Sequence, residues 1–205
     1  DKTIDKNIYF IPVKKDGTVL LDTSNVTNMQ QMFYNCKNLT EIRLLDTSKA
    51  TNMAYMFYGC TNLTTIPQLD TSKVTSMQYM FQDCTNLTTI PVLDTSNVTN
   101  MQQMFRECTN LITIPQLDTS KVTNMTYMFY GCANLQTIPV LNTSNVTYMK
   151  SMFSSCTSLS DESLNNILTM CANATSYTST KTLKYIGLTS EQATKCTTLS
   201  NWADC

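Results

Sequence analysis

Six cysteines recur at one spacing: Cys36, Cys60, Cys84, Cys108, Cys132 and Cys156 lie 24 residues apart, and Cys171, Cys196 and Cys205 follow less regularly. Thiols admit three chemistries: disulfide formation, metal ligation and nucleophilic attack. Zinc needs about four ligands converging tetrahedrally. A column repeated every 24 residues instead sets thiols along a line, and the chain has no histidine to complete a site. A bridge between neighbouring turns of a stack falls inside the permitted Cα range. Parallel Cβ vectors and the short loop closed make it unattractive. A small buried hydrophobe with a weak S–H donor suits the column best. Pairing among Cys171, Cys196 and Cys205 stays open.

Carboxylates form a second column, Asp22, Asp46, Asp70, Asp94 and Asp118, with Asn142 in the sixth place. Like charges this close repel, so each requires local hydrogen bonds or a cation. An Asx-type corner in "LDTS" satisfies them without metal, because the side chain accepts from the backbone two residues on. Asn142 fills that role unchanged. The dense carboxylate spacing of calcium loops is missing, so no metal and no cofactor is expected.

Catalysis has little to work with. There is no Gly-rich phosphate loop and no nucleophile elbow, and the serines and threonines are repeated rather than singular. No catalytic residue and no small-molecule substrate is expected. Basic and acidic residues number 14 and 15, a balance that provides no field for nucleic acid or anionic lipid. No apolar run approaches the ~20 residues of a membrane span, so no direct membrane insertion is expected.

These columns exist because the chain is an array. "LDTSNVTNMQQMFYNCKNLTEIRL" starts at Leu21 and restarts at Leu45, Leu69, Leu93 and Leu117, then in weaker form at Leu141, always after 24 residues. Such a period is the mark of a solenoid. Apolar residues occupy repeat positions 1, 6, 9, 12, 13, 16, 19 and 22, which in the second copy are Leu45, Ala50, Met53, Met56, Phe57, Cys60, Leu63 and Ile66. Met53, Met56, Phe57 and Cys60 follow i, i+3, i+4, i+7, and predict a short helical turn with a buried face. "NLTTIP" and "KVTSM" are short and rich in Thr and β-branched residues, and predict two small parallel strands per coil. Stacked rungs ~4.8 Å apart would make six coils about 30 Å long.

The pattern V-T-x-M-x-x-M-F-x-x-C-x-x-L-x-x-I resembles BspA-like leucine-rich-repeat surface proteins, in particular the mycoplasma branch with "LDTSxVTxMxxMFxxC". The resemblance implies a right-handed leucine-rich-repeat solenoid on a bacterial surface, used for adhesion to host or partner cells. Similar repeats also occur in phage tail proteins. The expected division is an N-terminal β-hairpin cap over residues 1–20, six repeats over 21–164, and a C-terminal α/β cap over 165–205. In the cap region "SDESLNNILTMCANA" predicts a helix capped by Ser160 or Asp161. "TLKYIGL" predicts a strand, and "TSEQATKC" a second helix from Thr189. Beginning at Asp1 rather than Met, the chain reads as a processed product or a piece of a larger one.

A solenoid keeps its core and varies its surface. Position 11 reads Gln31, Tyr55, Tyr79, Gln103, Tyr127, Ser151, and position 14 reads Tyr34, Tyr58, Gln82, Arg106, Tyr130, Ser154. At i and i+3 these share one outward face. Tyr34, Tyr55, Tyr58, Tyr79, Arg106, Tyr127 and Tyr130 are therefore the candidate partner-binding residues, since tyrosines are favoured interface anchors. The plain alternative is that they pack on one another. A rival surface is the strand face with Glu41, Arg43, Thr64, Thr65, Thr88 and Thr89. The function expected is non-enzymatic, extracellular recognition of a host or bacterial surface protein or glycan. A phage tail or fibre receptor-binding module, or a spacer without ligand, are the alternatives.

Overall fold

The structure is a computed structural model that describes residues 22–42 and 44–176, together with Ser190 and Thr194. Its order comes from hydrogen bonds between residues about one repeat apart. Asn28, Asn52, Ser76, Asn100, Asn124 and Tyr148 form a continuous series of parallel bridges. Thr75 N donates to Thr51 O and Thr99 N to Thr75 O, both at 3.0 Å. Further round the coil, Thr64 N donates to Thr40 O at 3.0 Å, and Thr113 bridges Thr137. The chain is a repeat solenoid in which coil lies on coil in register.

The two strands expected per coil shrink to isolated bridges at these two places. The expected helical turn is replaced outright. In the second copy the N–H groups of Met53, Tyr55, Phe57 and Gly59 donate to carbonyls of the next coil: Ser76, Gln78, Met80 and Gln82, at 2.8–3.2 Å. Met56 N, Tyr58 N and Cys60 N close four-residue turns onto Met53, Tyr55 and Phe57. A helix would spend every N–H on its own chain four residues back and leave nothing for the stack. Alternation is achieved by left-handed residues, Tyr55 at φ 59° and Gly59 at φ 69°.

The buried face survives this correction, because tight turns bring the same four residues inward. All eight apolar positions of the second copy are buried, and their equivalents run through one continuous core. Along its axis Phe33, Phe57, Phe81, Phe105, Phe129 and Phe153 stack with centroids 5.4–5.6 Å apart and planes within 9°. The threonine of each "LDTS" corner is buried as well. Thr47, Thr71, Thr95 and Thr119 donate Oγ1 to the carbonyl at the start of the next corner, at 2.8–2.9 Å. Burying a hydroxyl is costly unless it is bonded, and here each joins two coils.

Helix α1 spans Asp161–Asn173 and begins at Ser160, whose side chain accepts from Ser163 N. Asp161 and Glu162 in its first turn suit the helix dipole. Leu164, Ile167, Leu168, Met170 and Cys171 complete the core. Polar groups of α1 also satisfy the backbone of the coil beneath. Ser163 Oγ donates to Gln136 O and accepts from Ile138 N, while Asn166 Nδ2 donates to Ile138 O, all at 3.0–3.1 Å. An exposed ladder edge is thereby covered. The expected N-terminal hairpin, the "TLKYIGL" strand and all of the second helix except Ser190 and Thr194 lie outside the described residues.

Candidate functional site

The cysteine column is sealed. Cys60, Cys84, Cys108, Cys132 and Cys156 are buried thiols, and each Sγ donates at 3.0–3.1 Å to the carbonyl of the phenylalanine one coil earlier. Burial, the largest cause, pushes the Cys60 and Cys156 thiols up to about 12 and the other three well above the ordinary range. A thiol held protonated is neither nucleophile nor metal ligand. Of the other cysteines, Cys36 is half-buried and Cys171 buried, while Cys196 and Cys205 lie outside the described residues. Among the described residues no three of His, Cys, Asp and Glu converge to hold a metal.

The aspartate column takes the Asx geometry. Ser24, Ser48, Ser72, Ser96 and Ser120 each donate backbone N–H to the Oδ1 of the aspartate two residues back at 2.9–3.1 Å, and Ser144 does so to Asn142 at 3.0 Å. These serine bonds, side-chain and backbone, hold all five carboxyls below their ordinary value.

The seven candidate partner-binding residues sit on the left-handed turns, and the structure sorts them into two groups. Tyr34 and Tyr58 stack at 4.8 Å and Tyr55 and Tyr79 at 4.4 Å, with Tyr55 also 6.0 Å from Tyr58 and 6.5 Å from Tyr34. Further along, Tyr127 meets Tyr130 edge-on at 5.6 Å, and the Arg106 guanidinium lies 5.4 Å over the Tyr130 ring. Arg106 also approaches Glu107 at 4.0 Å. Tyr34 is exposed and the other tyrosines are half-buried. Burial, then neighbouring phenols, raises the Tyr55 hydroxyl; burial, then Asp83, raises that of Tyr58. Both remain hydrogen-bond donors at neutral pH.

Position 11 carries positive φ in all six copies, at Gln31, Tyr55, Tyr79, Gln103, Tyr127 and Ser151, with φ from 51° to 61°. No copy places glycine there, although left-handed backbone is easiest for glycine. The second left-handed position does take glycine in two copies, Gly59 and Gly131. On the rival face Thr64, Thr65, Thr88 and Thr89 are exposed and Glu41 half-buried, while Arg43 lies outside the described residues. Leu44, Val92 and Val140, which are not among the candidate residues, are 62%, 66% and 40% exposed. Their signal is the last repeat position, where Leu and Val alternate with Gln68 and Gln116.

Two matches to the family described as "Mycoplasma protein of unknown function, DUF285" cover residues 10–110 and 86–184. The chain belongs to this family. Membership in DUF285 accounts for the array directly, since the matched stretches contain all but the ends of the chain. Among solved structures the chain is similar to a leucine-rich cell surface protein from Faecalibacterium prausnitzii, with 28% identity and a TM-score of 0.47. That match covers 64% of this chain and 34% of the other, so the chain spans well under half of that relative's length. It is also similar to a leucine-rich-repeat protein from Eubacterium ventriosum (25% identity, TM-score 0.45, 60% of this chain and 32% of that one). A leucine-rich-repeat protein of T. pallidum is similar too (20% identity, TM-score 0.41, 69% and 74%). No curated protein matches this DUF285 chain. Among the described residues no helix is long and apolar enough to cross a membrane.

Proposed function

We propose that the chain is a non-enzymatic recognition module that presents its tyrosine-bearing turns to a protein or glycan at a cell surface, in the service of bacterial adhesion. The observation that supports this reading is the clustering of the tyrosines on one face, with Tyr55, Tyr79 and Tyr127 on left-handed backbone. A non-glycine residue costs about 1–2 kcal/mol in that conformation, a cost that the repeat bears in every copy, at Gln31, Gln103 and Ser151 as well. Tyr55, Tyr79 and Tyr127 hold the conformation at φ 56–61°. Their backbone is fixed by the next coil, so a partner meets rings already ordered and little entropy is lost on binding. The chain would act from the exterior of the cell. Replacing Tyr55, Tyr58, Tyr127 and Tyr130 by alanine should abolish binding to intact cells while leaving the fold unchanged.

A further inference from the structure

Repeat symmetry breaks in the middle of the tyrosine stripe. Where Tyr34 and Tyr58 occupy position 14 in the first two copies, Gln82 and Arg106 follow, and Gln103 interrupts position 11 between Tyr79 and Tyr127. The aromatic groups thus flank a polar saddle. Backbone bonds from Gly59 N to Gln82 O at 2.8 Å and from Asp83 N to Arg106 O at 2.9 Å set its residues on adjacent rungs.

Gln82 is only 3% exposed, and its Oε1 is buried without a hydrogen bond from any described residue. Buried polar atoms of this kind are few in folded proteins and call for an explanation. Among the described residues its amide nitrogen is tethered by one long 3.3 Å bond to Asp83 Oδ2, a contact readily exchanged for a better one. The polar groups of this turn and of the next coil mix donors and acceptors. Gln103 Nε2 lies 3.4 Å from the Tyr79 hydroxyl and Gln102 Nε2 2.9 Å from it. Arg106 adds donors, its charge opposed by Glu107 at 4.0 Å, and Asp83 interacts with the Tyr58 hydroxyl.

Resting on the reading of this stripe as the recognition face, we propose that the saddle binds a neutral saccharide unit. Sugar hydroxyls both donate and accept, which matches amides, a carboxylate, phenols and a guanidinium set side by side. One hydroxyl would supply the donor that Gln82 Oε1 lacks once the amide turns outward. The carboxylates of Asp83 and Glu107 outnumber the one cation, which disfavours an anionic sugar. Ring faces inside the larger tyrosine group cover one another at 4.4 and 4.8 Å, so contact runs through hydroxyl edges and amides rather than through a flat aromatic platform.

Saturation-transfer NMR with free glucose, galactose, mannose and N-acetylglucosamine, and with sialic acid as the anionic probe, tests this on the whole chain. Transfer to at least one neutral sugar is expected, with affinity about tenfold weaker in Gln82→Met, the scale of one hydrogen bond to a buried group. Should Gln82→Met not fold, the half-buried Gln103→Asn and Arg106→Ala decide, with the same loss expected. No transfer to any neutral sugar, transfer to sialic acid alone, or affinity unchanged in these variants overturns the proposal. If the tyrosine replacements abolish cell binding while every neutral sugar is silent, the saddle is refuted and the stripe stands. If a neutral sugar binds through Gln82 while cell binding survives the tyrosine replacements, the saddle stands and the stripe is refuted as the cell-binding face.

Discussion

Tyr55 and Tyr79 stack face to face at 4.4 Å with planes 8° apart, although both sit on left-handed backbone at φ 59° and 61°. The two facts have one cause. Backbone bonds from each rung to the next repeat the same φ at the same place, and equal backbones one rung apart bring equal rings into register. A solenoid therefore orders its surface by the same rule that orders its core.

The cysteine ladder makes a prediction about reactivity. A thiol reagent at pH 8 should leave Cys60, Cys84, Cys108, Cys132 and Cys156 unmodified in the native protein, and label them only as the chain unfolds. Mass spectrometry of labelled peptides across a urea titration measures this. The sign of the linked pH effect follows. Folded values raised above the unfolded 9.0 mean that the unfolded state loses its thiol protons first, so stability should fall as pH rises from 9.0 towards about 12.

Acid should weaken the corners in the opposite direction. Serine hydrogen bonds hold Asp22, Asp46, Asp70, Asp94 and Asp118 below the ordinary 3.8, so their contribution is present above that value and lost as pH falls through the folded values. Asn142 already makes the same backbone bond without a charge. Replacing the five aspartates by asparagine should therefore flatten the acid limb of a Tm-against-pH curve and lower the neutral Tm by the part that the charge contributes.

Phe81 lies between Phe57 and Phe105 in the stack and is fully buried. Phe81→Ala should destabilise by about 3–5 kcal/mol through lost transfer energy and the cavity left behind. Phe33 is 8% exposed and stacks on Phe57, and truncating it should cost measurably less. Urea denaturation of the two variants compares them.

Gly131 has φ 74°, and a Cβ there would approach the Glu107 carboxylate at 2.6 Å. The carboxylate is the far end of a flexible side chain, so the backbone term dominates. Gly131→Ala should cost about 1–2 kcal/mol, whereas Ser155→Gly, at an equivalent position with φ 64°, should be neutral or stabilising in the same denaturation assay.

How much of this was legible in the residues depends on what each feature rests on. The period of 24 and its eight apolar positions identify the core, because burial follows directly from apolar recurrence. The Asx corners were legible from Asp and Ser two apart, and α1 from Ser160 and the acidic turn after it. Turn and helix are not distinguishable from spacing here, because Met53, Met56, Phe57 and Cys60 satisfy helical spacing and consecutive tight turns equally well. What distinguishes them is where N–H groups go, a tertiary property that local spacing does not carry. Only Gly59 and Gly131 hinted at left-handed backbone, and Tyr55 and Tyr79 concealed it. For the site, the tyrosine column was visible as copy-to-copy variation, but its sorting into two groups and the orphaned Gln82 Oε1 depend on packing.

Binding of the purified chain to a panel of intact bacterial and host cells, wild type against the Tyr55, Tyr58, Tyr127 and Tyr130 alanine variant with its fold verified by circular dichroism, tests the recognition reading most directly. Loss of binding in the variant, with the wild type retained on at least one cell type, is the predicted result. Undiminished binding by the variant, or no binding of the wild type to any cell, would contradict it.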